Sequence, residues 1–239
     1  ETLTLLATDT ELTIQKSIKA EVLMEGETVV VGKYFVDFAK KLENEQVELS
    51  RLYDGQLEIK YSDSESELQV FPAENFPRIE KEENVDFFKI SQSDFKDVVE
   101  KTVFACSTDD SRPVLKGCLF EINDGMLTSV SLDGFRMAVV KKPVISEGNV
   151  KIVIPARALN EITRLLDSEN ETITIYIQKN TLFIELGNTI LISRLIEGEF
   201  VKYNHILPTS FENVVTINRQ ALLTSIERAS IVARNDRYN

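Results

Sequence analysis

Three observations in the sequence predict an α+β fold of tandem β-rich domains. They are short β-branched runs divided by turn signals, a few amphipathic helical patterns, and an internal repeat as long as a domain. The strand runs lie at 57–61, 114–122, 127–131, 173–177 and 182–186, alternating or continuously apolar. Asp54-Gly55, Asp124-Gly125, Asp133-Gly134 and Gly187-Asn188 divide them. Asp-Gly between two such runs predicts a hairpin, because both central residues of its turn need positive φ.

The helical patterns are three. Over 91–106 the apolar face is Phe95, Val98, Val99, Thr102, Val103 and Cys106. Over 155–166 it is Leu159, Ile162, Leu165 and Leu166, with Pro155 near the first turn, where its missing N–H is tolerated. Over 32–42 it is Phe35, Phe38 and Leu42.

The repeat is the most informative feature. Asp9 and Asp133 stand 124 positions apart (133 − 9), and Leu3-Thr4 matches Leu127-Thr128 at that spacing. Val29-Val30 matches Val153-Ile154, the apolar face of 32–42 falls on that of 155–166, and Phe76 matches Phe200. A second spacing of 127 (217 − 90) sets Ile90 on Ile217, and Phe95, Val99 and Lys101 on Leu222, Ile226 and Arg228. Residues 1–84 therefore read as the last two-thirds of one unit, 85–212 as a whole one and 213–239 as the opening of a third. On this reading the chain is cut at both ends, and its start, without Met and inside an alternating run, agrees. Solenoid elements repeat every ~20–50 residues, so this unit is a domain. Tandem copies of a domain invite a curved or closed arrangement that turns like surfaces the same way.

Composition narrows the function. The 239 residues are 43% hydrophobic and carry a formal net charge of −12, which argues against gripping nucleic acid by bulk charge. One locally basic surface on an acidic body is still compatible with it. No run of about 18 apolar residues predicts a membrane span, and no secretory leader is evident. Cys106 and Cys118 are too few for a disulfide framework and read as reduced core thiols of a cytoplasmic protein.

Cations recur with the repeat. Lys33 and Lys40 lie seven apart, on one helical stripe opposite the apolar face, and become Arg157 and Arg164 at the 124 spacing. Lys101 becomes Arg228 in the other helix type. Asp37 and Glu161 recur in the same stripe, so the surface is only mildly basic. Such a face suits phosphate contact without base readout; no cluster of Asn, Gln and Arg suited to base edges stands out.

Catalytic chemistry has no foothold. A single His, His205, excludes two-His metal motifs, and no Cys pair has zinc spacing. There is no G-x-G-x-x-G, Walker loop or G-x-S-x-G elbow. Asp109-Asp110 reads as a solvated loop rather than a cation site. No cofactor and no metal are predicted.

An ordered set of segments then resembles one family. Ser111-Arg112-Pro113-Val114-Leu115-Lys116-Gly117 and Leu132-Asp133-Gly134-Phe135-Arg136-Met137-Ala138 look like the central domain of bacterial sliding clamps, the β subunits of DNA polymerase III. Pro72-Ala73-Glu74-Asn75-Phe76-Pro77, Val153-Ile154-Pro155-Ala156-Arg157, Glu197-Gly198-Glu199-Phe200 and Ile206-Leu207-Pro208 continue it in order. The resemblance implies a DNA-clamp fold, in which two head-to-tail chains of three domains form a ring with helices lining the hole. It implies a non-catalytic processivity factor around double-stranded DNA. DNA polymerase III alpha subunit, the clamp loader and other clamp-motif proteins would dock on it by short peptides. The implied peptide pocket comprises Leu115, Leu132, Gly134, Phe135, Arg136, Met137, Val201, His205 and Ile206. The family often has His at 135, Pro at 201 and Arg at 205, so the motif-binding subsite here is expected to differ. The DNA-facing set would be Lys33, Lys40, Lys101, Arg112, Arg157, Arg164 and Arg228, and the dimer contacts Leu68, Ile231 and Val232. Two other readings compete: a repeat-built β-rich scaffold that binds proteins without DNA, and a hydrolase using His205.

Overall fold

The computed structural model describes residues 1–42, 46–52, 55–83, 85–167 and 171–233. It divides into two compact units, Glu1–Phe200 and Val201–Asn239. The larger begins with strands β1 (Thr2–Thr8), β2 (Leu12–Lys19) and β3 (Val29–Val30), helix α1 (Gly32–Ala39), and strands β4 (Val47–Arg51), β5 (Gln56–Tyr61) and β6 (Ser64–Phe71). After a connecting segment come β7 (Asp86–Ser91), α2 (Gln92–Thr102), β8 (Gly117–Asn123), β9 (Met126–Leu132), β10 (Met137–Pro143), β11 (Ile145–Ser146), β12 (Val150–Pro155), α3 (Ala156–Leu165), β13 (Thr172–Gln178), β14 (Thr181–Leu186) and β15 (Thr189–Arg194).

The repeat is visible strand for strand. At the 124 spacing β1 falls on β9 end to end, and α1 begins where α3 does. Asp9 and Asp133 each close the following turn in the same way. The Asp9 carboxylate accepts from Glu11 N and Leu12 N at 3.1 and 2.8 Å, that of Asp133 from Phe135 N and Arg136 N at 2.9 and 3.1 Å.

Three sheets result. One of seven strands runs β1-β2-β15-β14-β13-β7-β11, one of four runs β10-β9-β8-β12, and one of four runs β3-β6-β5-β4. The first crosses from one copy to the other, because β2 pairs antiparallel with β15, Ile14 opposite Leu191. The main core lies under α2 and α3, with Phe88, Phe95, Phe120, Ile154, Leu159, Ile162 and Ile184 fully buried. Among the described residues, a smaller cluster in the first copy holds Leu57, Ile59 and Val70 as buried residues.

The structure refines several sequence expectations. The run at 114–122 becomes a strand only from Gly117, because Pro113 fixes its own φ and opens a 3-10 turn, Pro113–Lys116, that turns Leu115 inward. Gly117 is required there: a Cβ would stand 2.4 Å from the Ile154 carbonyl oxygen of β12. The helix expected over 91–106 ends at Thr102 and tightens into a 3-10 turn, Val103–Ala105. Ser91 is its N-cap, accepting from Asp94 N at 3.1 Å. Pro155 precedes α3 as its cap residue. Asp124-Gly125 forms the expected two-residue turn with both residues at positive φ (50° and 73°). Asp133-Gly134 does not: β9 and β10 are joined by four residues, and only Gly134 has positive φ. Asp54 of Asp54-Gly55 lies outside the described residues.

The smaller unit contains a 3-10 turn, Tyr203–His205, and helix α4 (Arg219–Ala233). α4 starts 127 positions after α2 and repeats its cap, Asn218 accepting from Ala221 N at 3.0 Å as Ser91 does from Asp94 N. No described helix is long and apolar enough to cross a membrane.

Candidate functional site

The junction between the first two copies is densely held. Beside the β2–β15 ladder, Arg194 N donates to Glu11 O at 2.9 Å, and Asn188 Nδ2 donates to Ser17 O at 2.6 Å. Arg157, at the start of α3, reaches Asp9 of the β1–β2 turn at 2.5 Å. The Leu12 amide above all, with Glu11 N and Arg157 against the effect of burial, holds the Asp9 carboxyl below the usual carboxylate range. The connecting segment is strapped to the second copy: Lys81 pairs with Glu185 at 2.5 Å and stands 3.8 Å over the Tyr176 ring, and Lys179 pairs with Glu82 at 3.0 Å.

All seven cations expected to face DNA are exposed: Lys33 on α1 and Lys40 just after it, Lys101 on α2, Arg112 before the Pro113–Lys116 turn, Arg157 and Arg164 on α3, and Arg228 on α4. Several are engaged by carboxylates. Besides Arg157 with Asp9, Arg164 meets Glu161 at 2.6 Å and Lys101 meets Asp97 at 2.5 Å. These pairs reach the solvent and are individually weak. Lys142 on β10 bridges Asp94 and Asp97 at 2.7 and 3.0 Å. That holds the carboxyl of Asp94 below its usual range through Lys142 first and Ser91 next; Lys142 itself is raised.

Around the Asp133 turn the structure gathers part of the predicted peptide pocket. Gly134, at φ 96°, lies beside the Arg112 guanidinium, 3.8 Å from where a Cβ would stand. Phe135 is wholly exposed. Arg136 Nε donates to Asp133 at 2.9 Å, and the guanidinium lies 5.6 Å from the Phe104 ring centre. Met137 is half-buried, whereas Leu115 and Leu132 sit in the core. Phe104 is a residue that sequence reasoning missed. It is exposed beside Arg136, and its departure from the apolar face of 91–106 was the available signal. Val201, His205 and Ile206 belong to the smaller unit and are exposed there. Leu68 lies half-buried on β6, and Ile231 and Val232 are exposed on α4.

His205 closes a turn through its backbone, its N–H donating to Lys202 O at 3.1 Å. Among the described residues no three His, Cys, Asp or Glu side chains are grouped to hold a metal. Ser111 Oγ donates to Asp109 at 2.6 Å and Lys116 pairs with Asp110 at 2.5 Å. The Asp109-Asp110 loop is thus tied by its own neighbours.

Copies of one β-rich domain, joined edge to edge by a shared sheet and carrying cationic helices, define a tandem clamp architecture. Comparison with known proteins gives the family. A model described as the DNA polymerase III beta subunit, N-terminal domain, matches residues 1–80, and one for the central domain of the same subunit matches 89–202. The beta sliding clamp of Halalkalibacterium halodurans is 31% identical over 98% of this chain, and that of Staphylococcus aureus 32% over 96%. The chain spans 65% and 62% of their lengths. The crystal structure of the DNA polymerase sliding clamp from Bacillus subtilis superposes with a TM-score of 0.91 at 26% identity, covering 99% of this chain and 65% of that one. The one from Pseudomonas aeruginosa gives 0.86 at 28%, covering 96% and 63%. The chain belongs to the DNA polymerase III beta subunit family and has its α+β clamp fold.

Proposed function

We propose that the protein is a DNA sliding clamp, a processivity factor that encircles duplex DNA and catalyses no reaction itself. It would act in the cytoplasm, docking DNA polymerase III alpha subunit, a clamp loader and other clamp-motif proteins. Its domains would be 1–84, 85–212 and, from 213, the start of a third.

The observation that carries this is the pair of strand edges left open by the repeat. β2 is flanked on both sides, by β1 and β15, whereas among the described residues its counterpart β10 pairs only with β9. β15 is flanked by β14 and β2. Its counterpart β6 pairs along its length with β5, and on its other side meets β3 only at Val70 and Phe71. Each end of the tandem pair thus offers the half of a junction that the other end would complete. An unpaired edge templates further pairing, and a heterologous contact that repeats with rotation closes into a ring. Leu68 lies on the open stretch of β6, which supports it as a contact between subunits. Ile231 and Val232, exposed on the helix that opens the third copy, would supply the facing contacts in a homodimer.

Retention would then be topological, with the repeated cations holding phosphate loosely enough to slide. Gly134, Phe135, Arg136 and Met137, with Leu115 and Leu132 of the same unit, would receive an apolar partner peptide. The test uses the protein extended to the length of its relatives. Reversal of Lys33, Lys40, Arg157 and Arg164 to Glu should weaken retention on circular duplex DNA, lowering the salt slope by about 0.9 per lost phosphate contact. An unchanged slope in the folded variant, or equal retention on linear and circular DNA, would favour a protein-binding scaffold without DNA.

A further inference from the structure

We propose that Cys106 and Cys118 form a peroxide-oxidisable dithiol, whose disulfide would staple the intervening loop that carries Arg112 and Leu115. Both cysteines are free, and their Sγ atoms lie 3.5 Å apart. A disulfide requires sulfurs about 2 Å apart, so closure asks for roughly 1.5 Å of movement, within reach of small side-chain rotations. The backbone already brings the ends of the loop together: Ser107 N donates to Leu115 O at 2.8 Å. Cys106 ends the 3-10 turn after α2, while Cys118 is fixed in the β8 ladder opposite Ile154.

The two sulfurs differ in access, which assigns their roles. Cys106 is half-buried and Cys118 fully buried, so a small hydroperoxide reaches Cys106 first. The Cys106 thiolate attacks one peroxide oxygen, the O–O bond breaks and hydroxide leaves, giving a sulfenic acid. Cys118 then attacks that sulfur. The S–O bond breaks as the S–S bond forms, and the departing hydroxide leaves as water with the Cys118 proton. Two thiols and one hydrogen peroxide become one disulfide and two waters. Contact with Cys118 and burial both push the Cys106 thiol above its ordinary range, so the first step is slow at neutral pH and accelerates as pH rises. Around Cys118 the Thr102 hydroxyl stands 3.6 Å away, and Ser131 Oγ donates to the Thr102 carbonyl at 2.5 Å. The resolving thiol is thereby held in place.

The experiment treats the folded chain with hydrogen peroxide in mildly alkaline buffer, then maps peptides by mass spectrometry without reduction. The expected result is a Cys106 peptide linked to a Cys118 peptide within one chain, lighter by two hydrogens and separated again by dithiothreitol. In Cys118→Ser, whose folding is checked by circular dichroism, Cys106 should instead be trapped by dimedone as the sulfenic acid. Accumulation of sulfenic or sulfinic acid on Cys106 of the unsubstituted chain without the link would overturn the proposal. So would survival of both thiols, or a link formed only between chains. None of these outcomes depends on whether the protein clamps DNA.

Discussion

The turn after β1 and the turn after β9 share one backbone design and meet opposite fates. Thr10 and Gly134 occupy the same repeat position, at φ 79° and 96°. Thr10 is β-branched and strained there, while Gly134 adopts the conformation freely. The first turn lies against the second copy, through Arg157 on Asp9 and the Arg194–Glu11 hydrogen bond, and buries Leu12. The second carries Phe135 and Arg136 into the open. The helices repeat the lesson. α1 and α3 have the same apolar spacing, yet α3 buries Ala158, Leu159 and Ile162 while α1 buries nothing. α3 packs against α2 and over the main core, where Leu159 and Ile162 lie among the buried residues. Sequence pattern sets which face can be buried; the neighbouring element decides whether it is.

The helix comparison predicts the largest effect. Leu159→Ala should cost about 2–5 kcal/mol in urea denaturation, because it leaves a cavity in the main core. Phe35→Ala, at a residue only half-buried on the mostly exposed α1, should cost less than half as much. Equal losses would mean that α1 is as firmly packed as α3.

The turns predict opposite signs. Thr10→Gly should relieve roughly 1 kcal/mol of left-handed strain, offset in part by added unfolded-state entropy, and raise Tm slightly. Gly134→Val should lower stability by about 1–2 kcal/mol. In the extended protein it should also weaken titration with an apolar clamp-motif peptide. Met137→Lys should do so with stability largely retained, since a buried apolar anchor contributes ~1.5–3 kcal/mol. Unchanged affinity in both folded variants would remove this surface as the peptide pocket.

The caps extend the comparison to the third copy. Ser91→Ala should cost about 1 kcal/mol in thermal unfolding, because it frees the Asp94 amide of a helix packed on the core. Asn218→Ala should only lower helical circular dichroism, since α4 buries none of its residues.

The smallest effect is a pH dependence. Asp94 and Asp97 have folded pKa values below the ordinary 3.8, and Lys142 has one above 10.5. The carboxylates therefore contribute stability above pH 3.8 that is lost as pH falls through their folded values. Lys142 contributes below pH 10.5, and that part is lost as pH rises through its folded value. Lys142→Met should flatten both branches while leaving the Asp9 and Asp133 turns to titrate as before. A stability curve of unchanged shape would show that the bridge is too well solvated to matter.

What the sequence determined by itself is whatever depends on local periodicity and on spacing along the chain. The 124 spacing placed β1 on β9 and α1 on α3, and Asp124-Gly125 specified its turn, because these rest on contacts between near neighbours or on one pattern written twice. The recurring cations were equally legible, since helical periodicity alone puts them on the exposed side. Tertiary structure alone decided the rest. That β2, already paired with β1, would also pair with β15 of the next copy, that Arg157 would meet Asp9, and that two cysteines twelve positions apart (118 − 106) would bring their sulfurs to 3.5 Å are outcomes of which strand edge and which face lay open once each copy had folded. A strand edge offers the same N–H and C=O groups whatever its sequence, so its partner is chosen by geometry and by what else is buried with it.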